Sequence, residues 1–159
     1  MYQELKNATF VDEMIQKYAN MIVKIAYQYV HNQPDAEDIM QDVFIKLIEC
    51  RKQFENEEHI KAWLIRVTIN LSINYIKSSW YKKRLPFEEN NYSFTYQQKT
   101  ILEELFQIPY KYRIVLYLYY YENYTLQEIA VILNKSINTV ASQLRRAREK
   151  LKIEMEENG

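Results

Sequence analysis

Apolar positions recur along this chain at intervals of three and four, the period of a helix with one buried face. From Phe10 to Tyr29, Val11, Met14, Tyr18, Ile22, Ile25 and Tyr29 form one seam, and Val30 to Gln33 reads as a turn closed by Pro34 and Asp35. A second helix is expected from Asp35 to about Lys52, burying Ile39, Val43, Leu47 and Phe44. Its opening acids, Asp35, Glu37 and Asp38, suit the positive end of a helix dipole. After a polar loop from Phe54 to His59, a long helix is expected from Ile60 to about Tyr81, with Ile60, Leu64, Val67 and Leu71 on its apolar face. Leu85-Pro86 ends the periodicity, and Glu88 to Ser93 is polar and aperiodic, as a linker would be. Periodicity resumes near Tyr96 with Ile101, Leu102, Leu105 and Phe106.

Ile108-Pro109 then starts a further helix, proline being favourable at a first helical position. Residues 114–121 (IVLYLYYY) carry β-favouring side chains. No second strand is available to pair with them, so they are expected to form a buried helix with the tyrosines mostly in the core. Thr125 to Leu151 has the most specific pattern. Thr125 and Glu128 fit a capping box, and Leu126, Ile129, Ala130 and Leu133 share a face. Asn134-Lys135 breaks the repeat, and Ser136 is a good cap for a last helix. There Ile137, Val140, Leu144, Ala147 and Leu151 are expected inward, and Asn138, Thr139, Ser142, Arg145, Arg146 and Glu149 outward, with Arg148 beside them. The fold class is all-α: two small helical domains (residues 1–84 and 97–152), a flexible linker (85–96), and an acidic tail (153–159) expected to be disordered.

Charge changes this picture from architecture to chemistry. Residues 1–58 carry six Lys/Arg against eleven Asp/Glu, a net of −5, whereas residues 59–87 carry six Lys/Arg and no acid. Residues 125–152 carry six Lys/Arg against two acids, a net of +4, within a total of zero. Two separated basic segments suit a polyanion held at two places, and the acidic first third suits a different partner. Within the first basic segment, Trp63, Arg66, Asn70, Asn74 and Lys77 recur at spacings of 3, 4, 4 and 3. A ring, two cations and two amides in one stripe can stack on unpaired bases and bond their edges. A solvated helix face with a half-buried Trp would look similar. In the last helix, small polar residues followed by arginines suit a helix laid in a DNA major groove, and an amphipathic pair with a solvated basic face is the plainer account.

Composition narrows the classes. Cys50 is the lone cysteine, so no disulfide framework or cysteine metal cluster is expected. His31 and His59 are too few for a histidine site and are expected at the surface. The sole glycine is Gly159, which excludes the glycine-rich loops that cradle phosphates. No signal peptide opens the chain and no apolar run approaches a membrane span, so a cytoplasmic location without membrane insertion is expected. No cofactor is implied, and no nucleophile–His–acid set argues for an enzyme.

Three stretches together resemble the extracytoplasmic-function (ECF) group of bacterial RNA polymerase sigma factors: DAEDIMQDVF (35–44), AWLIRVTINLSINYIK (62–77) and the segment from Leu102 to Leu151. The resemblance implies that Asp35, Asp38, Gln41, Asp42 and Phe44 dock on the clamp helices of the polymerase largest subunit. It implies that Trp63, Arg66, Asn70, Asn74 and Lys77, with the loop 54–59, face the melted minus-ten strand. Ser136, Asn138, Thr139, Ser142, Arg145, Arg146 and Arg148 would then read the minus-thirty-five duplex. The partners implied are core RNA polymerase (clamp helices and flap region), promoter DNA and, as a possible inhibitor, an anti-sigma factor. Asn134 stands where glycine is common in the group, Ala141 where Lys is usual, Gln143 where Arg is usual, Asn74 for a common Asp and Lys77 for a common Arg. The competing reading is a free-standing helix-turn-helix regulator whose first half dimerises or senses a ligand.

Overall fold

The computed structural model describes residues 8–78 and 106–158, with side chains to Lys152. The chain divides into two compact units, Met1–Asn90 and Asn91–Gly159. In the first, α1 (Ala8–Val30), α2 (Gln33–Glu49) and α3 (Glu57–Lys77) pack on one another pairwise. In the second, α4 (Tyr110–Leu116) runs into a π-helical turn (Tyr117–Tyr121) and is followed by α5 (Leu126–Leu133) and α6 (Ile137–Asn158). All regular structure among the described residues is helical. The expected linker and the helix near Tyr96 lie outside those residues, except for Phe106.

The first core is built from the predicted seams. Ile22, Ile25, Val43, Leu47, Ile60 and Leu64 are completely buried; burying each such side chain contributes about 1.5–3 kcal/mol. Helix α2 begins two residues earlier than expected because Asn32 is its cap. The Asn32 side chain accepts from the Asp35 backbone N–H at 2.9 Å, while its amide donates to the Asp35 carboxylate at 2.6 Å. Pro34 falls within the first turn, where no backbone donor is needed. Helix α2 ends at Glu49, short of Lys52.

Helix α3 likewise starts early, capped by Asn56, whose side chain accepts from His59 N–H at 2.9 Å. Its buried face differs from the expected one. Ile60 and Leu64 are inside, but the face continues through Ile65, Thr68, Ile69 and Ser72, leaving Val67 and Leu71 half-buried. The buried hydroxyls donate to carbonyls one turn back, Thr68 to Leu64 at 2.6 Å and Ser72 to Thr68 at 2.7 Å. Satisfied in this way, they can occupy core positions.

In the second unit, Val140, Leu144 and Ala147 of α6 are buried with Ile129, Ala130 and Ile132 of α5 and Ile114, Val115 and Leu118 before them. Three expectations fail here. Ile137 is 48% exposed: it opens α6, and the buried stripe of that helix starts only at Val140. The tyrosine run is a helix but not mostly core: Tyr117 and Tyr119 are half-buried, and Tyr120 and Tyr121 are more than half exposed. The π-helical turn widens the ring of the helix and carries Tyr120 and Tyr121 outward, Tyr121 stacking on the half-buried Tyr117 at 5.0 Å. Residues 153–158 continue α6 rather than forming a disordered tail, since Glu, Met and Ile extend a helix more readily than the acidity suggests.

Candidate nucleic-acid interface

Helix α5, its turn and α6 form a helix-turn-helix. The capping box at its entrance is complete: Thr125 N–H donates to the Glu128 carboxylate at 3.0 Å, and Glu128 N–H donates to the Thr125 hydroxyl at 3.1 Å. Asn134 makes the turn at φ 54°, ψ 50°, in the left-handed region, which Asn tolerates better than most residues. Ser136 caps α6, its oxygen accepting from Thr139 N–H at 3.1 Å, with the two hydroxyls 2.8 Å apart.

Along α6, Asn138, Thr139, Arg145, Arg146 and Arg148 are exposed and Ser142 is half-buried. Their states differ. The Ser136 and Thr139 hydroxyls are partly committed to the cap. Arg148 donates to the Tyr120 hydroxyl at 2.6 Å, its guanidinium 5.4 and 5.6 Å from the Tyr120 and Tyr119 ring centres. Arg146 is placed to donate to the Tyr112 hydroxyl, and this hydrogen bond, more than the charge of Lys111, holds the phenol below its usual pKa. Ile137, expected inward, joins Asn138 at the exposed front of the helix.

On α3, Arg66, Asn70, Asn74 and Lys77 are all exposed and Trp63 is half-buried, so the predicted stripe is a real surface. Trp63 stands edge-on to the buried ring of Phe54, centres 5.6 Å apart, and Phe54 stands edge-on to His59 at 5.3 Å. The Glu55 N–H donates to His59 Nδ1 at 3.2 Å, which leaves the ring proton on Nε2. His59, expected as a surface residue, thus ties the loop before α3 to the aromatic end of the stripe. An isolated His in a polar loop carries no sequence signal for that role.

On α2, Asp38, Gln41 and Asp42 are exposed, but two residues assigned to the same face are not. Asp35 is 2% exposed, drawn inward by its bonds to Asn32, and Phe44 is 4% exposed in the core. Neither is presented by α2. The exposed face instead carries Ile45 and Ile48, 49% and 54% exposed. They follow Asp38, Gln41 and Asp42 at helical spacing and out of phase with buried Ile39, Val43 and Leu47. That phase difference was the available signal.

Among the described residues, no cluster of His, Cys, Asp or Glu could hold a metal ion, and no helix is long and apolar enough to cross a membrane. The arrangement is that of a nucleic-acid binder: two helical units, each offering an exposed cationic or amide-bearing helix face, one on a helix-turn-helix.

Comparison with known proteins defines the class further. The family model for sigma-70 region 2 matches residues 14–81, and that for sigma-70 region 4 matches residues 98–151. The chain is 29% identical over 139 residues to RNA polymerase sigma factor SigV of Bacillus subtilis (83% of this chain, 82% of SigV). It is 27% identical over 160 residues to ECF RNA polymerase sigma factor SigW of the same organism (88% and 86%). The sigma factor RpoE of Bartonella quintana, solved in complex with the anti-sigma factor NepR, has the same fold, with a TM-score of 0.73 at 18% identity, covering 91% of this chain and 96% of that one. The chain belongs to the sigma-70 family of RNA polymerase sigma factors, in its ECF group. It is not an enzyme; it acts in transcription initiation by binding RNA polymerase and DNA.

Proposed function

We propose that the three exposed helix faces divide the work of initiation. The α2 face, Asp38, Gln41 and Asp42 with Ile45 and Ile48, docks on the clamp helices of the polymerase largest subunit. The α3 stripe, with the loop behind Trp63, receives the opened minus-ten strand. The α6 front, Asn138, Thr139 and Ser142 with Arg145 and Arg146, reads the minus-thirty-five duplex, while the second unit also meets the flap region. Residues 85–96 serve as the linker between units. Asp35 and Phe44 support the first face from behind.

The observation that carries this reading is the α3 stripe: four polar or cationic residues exposed in register beside a ring braced by Phe54. Opening duplex costs on the order of 1.4 kcal/mol per base-pair step. Stacking and capture of unpaired bases return about 1–3 kcal/mol each. Selective binding of the single strand can therefore drive opening without nucleotide hydrolysis. RpoE was solved with the anti-sigma factor NepR; we propose a partner of that kind for this chain too, and a cytoplasmic location.

Transcription from purified parts tests the reading. Adding the chain to sigma-free core polymerase gives promoter-dependent transcripts from genomic fragments, and no transcript from any fragment would refute it. Binding of the chain alone to a palindromic operator as a dimer would favour a free-standing regulator.

A further inference from the structure

Beside the front of α6 lies a cationic group that shares Arg146 with the groove-facing residues and adds two lysines, Lys111 and Lys150, that they do not account for. Tyr112 of α4 is buried at 7% exposure, and three cations gather round it from two helices. Lys111 and Lys150 place their ammonium groups 5.0 and 5.5 Å from its ring centre. Arg146 is near enough to its hydroxyl to hold the phenol below its usual pKa. All three cations are exposed, and among the described residues none is ion-paired with a carboxylate. Sharing one ring centre puts the two ammonium groups no more than about 10.5 Å apart, comparable with the screening length of about 8–10 Å near physiological salt, so their repulsion is only partly screened. A ring face attracts each cation but does nothing to neutralise their mutual repulsion. An anion would.

The position along α6 indicates which anion. Arg146 and Lys150 lie nine and thirteen residues beyond Ile137, about 14 and 20 Å along the helix axis at 1.5 Å per residue. The B-DNA major groove is about 12 Å wide. With the first turn of α6 on the base edges, Arg146 and Lys150 stand at the rim of the groove, where the phosphates are. Lys111 comes to the same place from α4, with side-chain reach that α6 alone lacks.

We infer that Lys111, Arg146 and Lys150, assembled on the ring of Tyr112, form a backbone clamp that holds a duplex phosphate at the rim of the groove occupied by α6. The inference rests on the assignment of α6 to duplex promoter DNA. The clamp grips without regard to sequence and fixes the depth and angle at which Asn138 and Ser142 meet the bases. Its two lysines add one phosphate contact to those that the front of α6, Arg146 included, makes by itself.

The test is the salt dependence of binding by reconstituted holoenzyme to a promoter duplex and to a scrambled duplex of equal length. The Lys111→Gln/Lys150→Gln variant should lower the slope of log K against log salt by about one, with equal fractional loss of affinity on both duplexes. The Lys111→Arg/Lys150→Arg variant should keep the wild-type slope, separating charge from any effect on folding. An unchanged slope in the Gln variant, with normal wild-type binding, overturns the clamp alone and leaves the lysines as packing on Tyr112. Loss of core polymerase association with an unchanged slope also overturns it, assigning the cluster to an acidic protein surface. A wild-type holoenzyme whose duplex binding is insensitive to salt removes the duplex assignment of α6, and the clamp falls with it.

Discussion

Asn134 shows how single residues carry this fold. The chain has one glycine, Gly159, and among the described residues the left-handed positions are filled by His31, Asn123 and Asn134, with φ of 58°, 60° and 54°. These are residue types that enter that region more readily than most. Asn134→Ala should lower stability by about 1 kcal/mol, read as a reduced midpoint in urea, while Asn134→Gly should be neutral or slightly stabilising. Asp35 and Asp38, three residues apart, should separate cleanly. Asp35→Ala leaves Asn32 with half its reciprocal pair and should cost about 1 kcal/mol of stability. Asp38→Arg should leave the unfolding midpoint in place and abolish holoenzyme assembly on a native gel; normal assembly would take α2 out of the docking surface. Tyr117 gives a pH signature. Burial, reinforced by the Glu122 carboxylate that accepts from its hydroxyl at 3.0 Å, raises its pKa above the ordinary value near 10. The unfolded chain therefore ionises first. The stabilisation from Tyr117 is complete below pH 10 and is lost as pH rises beyond it toward the folded-state pKa. Tyr117→Phe should flatten the alkaline limb of a thermal-melt series.

At the scale of elements, what was legible tracks how each side chain is satisfied. The capping box at Thr125, the break at Asn134 and the cap at Ser136 were readable because such chemistry is local, complete within four residues. The α3 stripe was readable because its polar residues keep helical period. The core face of α3 was not, because Thr68 and Ser72 are polar in sequence and become core-compatible only by bonding the preceding turn. For Phe44 the helical period and the resemblance point opposite ways, inward and to the docking surface, and the packing follows the period; that Asp35 faces inward shows only in its bonds to Asn32. The tyrosine run was read as a regular buried helix, and one π-helical turn rotates its end away from the core. For the elements that meet DNA, Asn70→Ala should slow open-complex formation more than closed-complex binding, as measured by permanganate footprinting against filter binding. Equal loss at both steps would contradict a single-strand role. Arg145→Ala should lower the salt slope of duplex binding by about one, and no change would remove Arg145 from the interface.

For the molecule as a whole, the segregation of charge is the organising fact. A chain of net zero charge places −5 on residues 1–58, +6 on residues 59–87 and +4 on residues 125–152. That pattern was fully visible in the sequence, and the two compact units keep the two basic helices on separate bodies. Asn70 and Arg145 therefore lie in different units and share no partner among the described residues. Their effects on promoter occupancy should add on a logarithmic scale, within about 0.5 kcal/mol in a double-mutant cycle. A larger coupling would show that one unit senses the occupancy of the other.

The bond from Arg148 to Tyr120 has one more consequence. It pins α6 at its midpoint, behind the groove-facing residues, to the π-helical turn, while Ser136 and Asn134 anchor the front. Held at both ends, the segment between behaves like a type-bar on a rigid arm: the letters at 138 and 142 can be exchanged while the arm keeps its aim. Promoter preference in this protein should thus be retunable by substitutions at those positions alone, whereas severing the rear anchor with Tyr120→Leu would blur every letter at once.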